Sequence, residues 1–375
     1  MSRSVLVIAG EMSGDQHTAE VIRDVRAAAP DVRFFGIGGG EMRAAGCEIV
    51  EPIDRMAVMG LWEVIKRYGF FKQVFARMVA LARERRPDLV LLTDYPGFNL
   101  RFAAEMKKLG IPVLYYISPQ VWAWKKKRKA RMAEVIHRLM VILPFEVEVF
   151  AGTGLHTDFV GHPLVEKTAR FLATPPEPLP WPEAPRVALL PGSREQEIHR
   201  ILPLLYDAAL RLRQIRPDVR FLVAAASPAS EALIRSQPLP AGLEGAVEVL
   251  AGRTYEILRQ SRAAMVASGT ATLDTALLGC PMIIAYRTSA LTYAVAKRVV
   301  TIPHIGLVNI VSGRTVCREF IQDAADPAAM AAAVADLLPD GPARADMQRA
   351  FADLRATLSP GGHTTAAEIL LEMVK

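Results

Sequence analysis

The chain of 375 residues is 51% apolar and 22% charged, which excludes a disordered polymer and is too long for one ordinary core, so two domains are expected. Its net charge of +6 favours anionic partners such as phosphates or acidic lipids without selecting one. The three cysteines (Cys47, Cys280 and Cys317) are too scattered for a zinc cluster or a disulfide framework, and a reduced cytoplasm is the expected home.

In chain order, "SVLVIA" (4–9) reads as a first strand; it is too short for a secretory apolar region. A helical pattern through "TAEVIRDVRAAA" follows, then "VRFFGIG" (32–38) and "GEMRAAG". The segment 56–78, "MAVMGLWEVIKRYGFFKQVFARM", is helix-like and mixes Met56, Met59, Leu61, Trp62, Ile65, Phe70, Phe71 and Phe75 with Lys66, Arg67, Lys72 and Arg77. It reads either as a core-packed helix with a basic outer face or as a surface lying on a lipid interface. "DLVLLTD" (88–94), "IPVLYYIS" (111–118) and "RLMVIL" (138–143) are further strands, each followed by a helical pattern. Near-continuous apolar strands separated by helices predict a parallel α/β sheet covered on both faces. "TPPEPLPWPEAP" (174–185) holds six prolines and reads as a semi-rigid linker. The alternation then restarts with "RVALLPGS" (186–193), "VRFLVAAAS" (219–227), "AVEVLAG" (246–252), "AAMVASG" (263–269) and "PMIIAYR" (281–287). The expected organisation is an N-terminal Rossmann-like domain over 1–173, a linker over 174–185, a C-terminal Rossmann-like domain over 186–355, and a C-terminal helix in 356–375 able to pack back on the N-terminal domain. Two such domains predict a cleft, with ligands at the carboxyl ends of the strands. No window approaches twenty uncharged apolar residues, so no membrane-spanning helix is expected.

Several loops carry candidate chemistry. In "MVASGTATLDTALLG" (265–279) a strand runs through Ser268 and Gly269 into a helix opening with Thr270 and Thr272, a place where an anion meets backbone N–H groups. Asp274, one turn in, suits ribose hydroxyls; an ordinary capped helix explains the same letters about as well. "LLPGSREQEI" (189–198) places Ser193 and Arg194 after a strand, where Arg194 could clamp a diphosphate or pair with Glu195 or Glu197. "IAGEMSGD" (8–15) and "FFGIGGGEM" (34–42) are small-residue loops, the first offering Glu11, Ser13, Gly14 and Asp15. Asp94 ends a buried strand in "LLTDYPGFNL" (91–100); it suits a general base or, equally, a cap for the helix near Asn99. His162, a single histidine outside any recognisable catalytic spacing, reads as structural. No spacing of His, Asp or Glu suggests a metal site.

In family order and with family spacing, eleven motifs resemble the lipid-A-disaccharide synthase family: "AGEMSGD", "GIGGGEM", "MAVMGLWEV", "DYPGFNL", "YYISPQVWAWKKKR", "LPFEVEVF", "FVGHPL", "LLPGSR", "ASGTATLDTALL", "PMIIAYR" and "NIVSGR" with "REFIQ". The resemblance implies a two-domain GT-B fold and an inverting, metal-independent glycosyltransferase with no cofactor. Its implied substrates are UDP-2,3-diacylglucosamine as donor and 2,3-diacylglucosamine 1-phosphate (lipid X) as acceptor. By matching positions it implies Asp94 as base and Arg194 as the group meeting the charge on departing UDP. It places Ser193, Ser268, Gly269, Thr270, Thr272, Asp274, Asn309, Arg314, Glu319 and Gln322 on the donor side. Glu11, Ser13, Gly14, Asp15, Asn99, Ser118 and Trp122 fall on the acceptor side. The chain departs from the family at Gly97, where a second acid is frequent, and at Asp274, where glutamate is usual.

"YYISPQVWAWKKKRKARMAE" (115–134) sets Trp122 and Trp124 beside Lys125, Lys126, Lys127, Arg128, Lys129 and Arg131. With the resemblance it reads as facing acidic lipid at the inner membrane's cytoplasmic face, or the acceptor's 1-phosphate. A GT-B enzyme with another acceptor, or a nucleotide-sugar epimerase, remains the alternative. A nucleic-acid-binding role is disfavoured because no helix-turn-helix, RNA-recognition or zinc pattern is present.

Overall fold

The computed structural model describes residues 3–56, 68–123, 128–289, 293 and 302–374. The chain divides into two compact units: residues 1–163 with 360–375, and residues 164–359.

The first unit alternates β1 (Ser4–Ala9), α1 (Met12–Ala28), β2 (Arg33–Gly38), α2 (Gly40–Ala44), β3 (Cys47–Pro52), α3 (Tyr68–Arg85), β4 (Leu89–Thr93), α4 (Pro96–Lys108), β5 (Val113–Tyr116), α5 (Arg128–Val135), β6 (Arg138–Val141), α6 (Glu146–Phe150) and β7 (His156–Phe159). The strands form one sheet in the order β3-β2-β1-β4-β5-β6-β7, and every pairing is parallel. Because helices cover both faces, β1 is apolar and buried from Val5 to Ala9. Leu6 and Ile8 join a core with Met78, Phe102 and Met132, while Val5 and Val7 join another with Ile22, Val25, Ile369 and Leu370. Gly36 is required where β2 passes β1: a Cβ there would lie 1.9 Å from the Val7 carbonyl oxygen.

The second unit contains β8 (Arg186–Leu190), α8 (Glu195–Ile215), β9 (Arg220–Ala225), α9 (Pro228–Ser236), β10 (Val247–Ala251), α10 (Thr254–Arg259), β11 (Ala263–Ala267), α11 (Ala271–Leu277), β12 (Met282–Tyr286), α12 (Leu307–Ser312), β13 (Glu319–Ile321), α13 (Pro327–Ala335) and α14 (Pro342–Leu358). Its sheet is again parallel, in the order β10-β9-β8-β11-β12-β13. Leu189 and Met265 of its central strands pack with Leu202 and Leu205 of α8 and Ala331 and Val334 of α13.

The boundaries differ from the sequence expectation. The chain passes between units within α7 (Pro163–Leu172) and returns at Pro360, after which α15 (Ala366–Met373) packs on the first unit. The proline segment 174–185 belongs to the second unit. Lacking N–H groups at its prolines, it offers carbonyls, and these accept from Arg259 (Thr174, 2.8 Å), Gln260 (Glu177, 2.7 Å), Arg253 (Pro178, 3.1 Å) and Arg186 (Pro180, 3.3 Å).

Within the expected 56–78 helix, α3 begins at Tyr68. Val74 and Met78 are buried, and the Phe75 ring meets Phe98 and Phe102 edge-on at 5.3 and 6.0 Å, so this portion packs on the core. Met59, Leu61, Trp62, Ile65, Lys66 and Arg67 lie outside the described residues, as do Trp124 and Lys125–Lys127. No helix among the described residues is long and apolar enough to cross a membrane. All three cysteines are free and buried.

Candidate active site

In a parallel sheet the crevice opens where neighbouring strands send their chains in opposite directions, at the carboxyl ends. In the first unit that point lies between β1 and β4, and it brings Glu11 and Asp94 together. The Tyr95 ring lies over Gly10, where a Cβ would come within 2.4 Å of it, so the two loops can meet only with glycine there. Asp94 and Tyr95 both hold left-handed backbone, φ 45° and 47°, which non-glycine residues rarely adopt. The strand end holds them: the Asp94 N–H donates to the Tyr116 carbonyl (3.0 Å), and the Asp94 carbonyl accepts from Asn99 Nδ2 (2.8 Å) and the Tyr115 hydroxyl (2.5 Å). Asp94 does not cap α4, which starts through Pro96 without a side-chain cap. Its half-buried carboxyl is pushed up to about 6, first by burial and then by the Glu11 carboxylate, against a hydrogen bond from the Tyr95 N–H. Such a group is ionised at neutral pH yet basic enough to take a proton.

The remaining acceptor-side residues divide. Glu11 and Ser13 are exposed at the start of α1. Gly14 is buried against Ala9 and Thr93, and Thr18 bonds Thr93 at 2.7 Å, fixing α1 against β4. Asp15 does not face outward: its carboxylate accepts from the N–H groups of Gly39 (2.6 Å), Glu41 (3.1 Å) and Met42 (3.2 Å), capping α2. Asn99 is wholly buried and supports the Asp94 backbone. Ser118 is buried, its hydroxyl donating to the Pro119 carbonyl. Trp122 donates from Nε1 to Glu146. His162 is buried, and burial with His17 nearby lowers its imidazole to about 3, so it is neutral at physiological pH, as a structural histidine would be.

The corresponding point of the second unit lies between β8 and β11, and it brings the 191–194 and 268–270 loops together. Gly192, at φ 105°, makes room for the Glu197 carboxylate. Arg194 is 79% exposed and pairs with Glu197 at 3.0 Å, one of the two local partners the sequence offered. Ser193, Gly269, Thr270 and Arg314 are also exposed. The other donor-side residues are engaged inside the unit. Ser268 Oγ donates to the Ile305 carbonyl (2.9 Å), and Thr272, wholly buried, donates to the Gly269 carbonyl (2.8 Å). Asn309 spends its amide on Cys317, Glu319 and Val316. Glu319 accepts from the Ile305 and Gly306 N–H groups, and Gln322 pairs reciprocally with the Thr288 backbone. These side chains therefore shape the loops rather than face solvent. Asp274 accepts a short hydrogen bond from the Tyr255 hydroxyl; burial raises its pKa, while Tyr255 and Lys167 oppose the shift.

Tyr115, Glu146 and Tyr255 were not expected from the sequence. Tyr115 and Glu146 fall in the motifs "YYISPQVWAWKKKR" and "LPFEVEVF", which carried no role for them, and Tyr255 lies in no motif. Among the described residues no group of three or more His, Cys, Asp or Glu is placed to hold a metal ion.

The profile described as lipid-A-disaccharide synthetase matches residues 5–370. The chain is 40% identical over 387 residues to a lipid-A-disaccharide synthase of Anaeromyxobacter sp. (strain K), covering 100% of this chain and 98% of that one. It is 41% identical over 379 residues to another from Syntrophus aciditrophicus (strain SB), with the same coverage. The crystal structure of the calicheamicin glycosyltransferase CalG4 superimposes with a TM-score of 0.60 at 17% identity, covering 100% of this chain and 98% of that one, which establishes a shared GT-B fold. On the length and level of these matches, the chain belongs to the lipid-A-disaccharide synthase family of glycosyltransferases.

Proposed function

We propose that the enzyme transfers 2,3-diacylglucosamine from UDP-2,3-diacylglucosamine to the 6-hydroxyl of 2,3-diacylglucosamine 1-phosphate. Asp94 takes the hydroxyl proton as that oxygen bonds to the donor's anomeric carbon. The bond from this carbon to the diphosphate breaks, UDP leaves with the electron pair, and the configuration inverts to β. Arg194 meets the charge developing on UDP, assisted by Ser193, Gly269 and Thr270; Asp274 takes the ribose. The reading is carried by Asp94, a half-buried carboxyl at a switch point whose pKa is pushed up to about 6. Purified protein given both acylated sugars should yield the β-1,6 disaccharide 1-phosphate and UDP by mass spectrometry, and absence of that product refutes the reading.

The reaction is expected to need no metal, so a chelator should leave turnover unchanged. We further propose peripheral attachment to an anionic, cytoplasm-facing membrane surface through Lys125–Lys127. In the neighbouring α5, Lys129 donates to the Val149 carbonyl (3.0 Å) and Arg131 pairs with Glu134 (2.8 Å), so those two cations have partners within the unit. Replacing Lys125, Lys126 and Lys127 by glutamine should weaken binding to vesicles containing acidic lipid, and unchanged vesicle binding and turnover would reduce the run to a solvated surface.

A further inference from the structure

Two sequence motifs meet in the first unit: "SPQVW" after β5, which the resemblance places on the acceptor side, and "LPFE" after β6, which has no assigned part in the reaction. Glu146 is 2% exposed. One oxygen accepts from Trp122 Nε1 at 3.1 Å and the other from the Leu143 N–H at 3.3 Å. The Trp122 ring also meets Phe145 edge-on at 5.2 Å, so two adjacent residues of one loop hold a single indole of the other. Burial pushes the Glu146 carboxyl up to about 8, against the hydrogen bonds it accepts, so near pH 7 it is mostly the neutral acid.

The loop that Trp122 ends starts at the candidate base. Tyr115 and Tyr116 bind the Asp94 backbone, and the chain then turns through Ile117, a β-branched residue at φ 66° whose N–H donates to the Met140 carbonyl. A left-handed β-branched residue persists only where the surroundings over-determine it. The loop is thus tied to Asp94 at its start and to Glu146 at its end, with buried Ser118, Pro119 and Val121 between.

We propose that Glu146 is a positioning residue for the acceptor sugar. By holding Trp122 it fixes the 117–122 segment that runs on from the Tyr115 and Tyr116 contacts to the Asp94 backbone, and it touches neither the proton nor the donor. This rests on the reading of Asp94 as the base on the acceptor side. It also assigns the tryptophan: the Trp122 N–H serves the loop's shape rather than a lipid surface.

Because the buried acid is mostly neutral, glutamine is its close substitute: it keeps an oxygen for the indole and loses only the longer bond to Leu143. Glu146→Leu leaves the indole N–H without its acceptor. The experiment measures kcat and both KM values with UDP-2,3-diacylglucosamine and 2,3-diacylglucosamine 1-phosphate, together with UDP affinity and Tm. Glu146→Leu should raise the acceptor KM about tenfold, the size expected for one buried hydrogen bond, with kcat, donor KM and UDP affinity within about twofold. Glu146→Gln should restore most of that loss. Trp122→Phe, which keeps the ring contact with Phe145, should raise the acceptor KM in the same direction, and the double variant should be no worse than the worse single one. If Glu146→Leu does not fold, Trp122→Phe and Glu146→Gln carry the test. An unchanged acceptor KM in the Leu and Phe variants overturns the proposal. So does a lowered Tm with uniform loss in kcat and both KM values that glutamine fails to restore. Full activity of Asp94→Asn alongside a raised acceptor KM in the Glu146 variants would instead refute the assignment of the base.

Discussion

The two sheets reverse their strand order in the same way, and burial raises the pKa of the acid at both points, but the neighbours of the two acids differ. At β1/β4 burial and Glu11 both push the Asp94 carboxyl up, and only a backbone N–H opposes them. At β8/β11 the Asp274 carboxylate is met by the Tyr255 hydroxyl with Lys167 nearby, while exposed Arg194 supplies positive charge. On the proposed mechanism the first point accepts a proton and the second holds the departing anion. On that reading the same topology carries half of a transfer reaction in each unit, and the difference lies in the groups the fold sets around each acid.

The sharpest way to break this contrast is to remove the base. Asp94→Asn keeps the size and the backbone bonds of residue 94 but cannot take a proton, so kcat should fall about 10³-fold with UDP affinity unchanged. Arg194→Ala should cost about 10²-fold, with weakened UDP binding, because it removes charge stabilisation rather than the proton acceptor. A smaller effect is expected from Glu319→Ala, which strips the acceptor from the Ile305 and Gly306 N–H groups. Urea unfolding should show a loss of about 1–3 kcal/mol, and donor KM should rise while acceptor KM does not. The smallest is Gly97→Ala. A Cβ there meets nothing within 4 Å, and replacing a helical glycine should raise stability by about 0.5–1 kcal/mol without changing turnover. A marked loss of activity in that variant would mean that the loop after Asp94 needs glycine's freedom.

Most of the fold was legible because the interior of a strand buried on both faces must be apolar, as "VLVIA" (5–9) and "LVLL" (89–92) are. Strand β3 escaped notice because it is an edge: "CEIVEP" places Glu48 and Glu51 in the strand and ends in proline. Strand β13 has only three residues. Asp94 was legible as an acid closing an apolar run. The fate of Asp15, Asn309, Glu319 and Gln322 was not, because each is a polar side chain whose backbone partner is brought to it by folding: Asp15 finds Gly39, and Glu319 finds Ile305. A sequence shows that a side chain can bind phosphate or sugar; it does not show that a backbone N–H has already taken it. The unit boundary was hidden for a similar reason, since the prolines suggested a linker while the four side chains that hold their segment lie between Arg186 and Gln260.

The central claim is that the surroundings of Asp94 make it a base near neutral pH, and the pH dependence of kcat/KM tests it most directly. Only the ionised carboxylate accepts the proton, so the rate should fall as pH drops through about 6 and level off above it. Glu11→Gln removes a neighbouring negative charge, so it should move that limb to lower pH while burial keeps it above the ordinary aspartate value. A profile flat down to pH 4.5, or a limb that Glu11→Gln leaves in place and that persists in the residual activity of Asp94→Asn, would contradict the account.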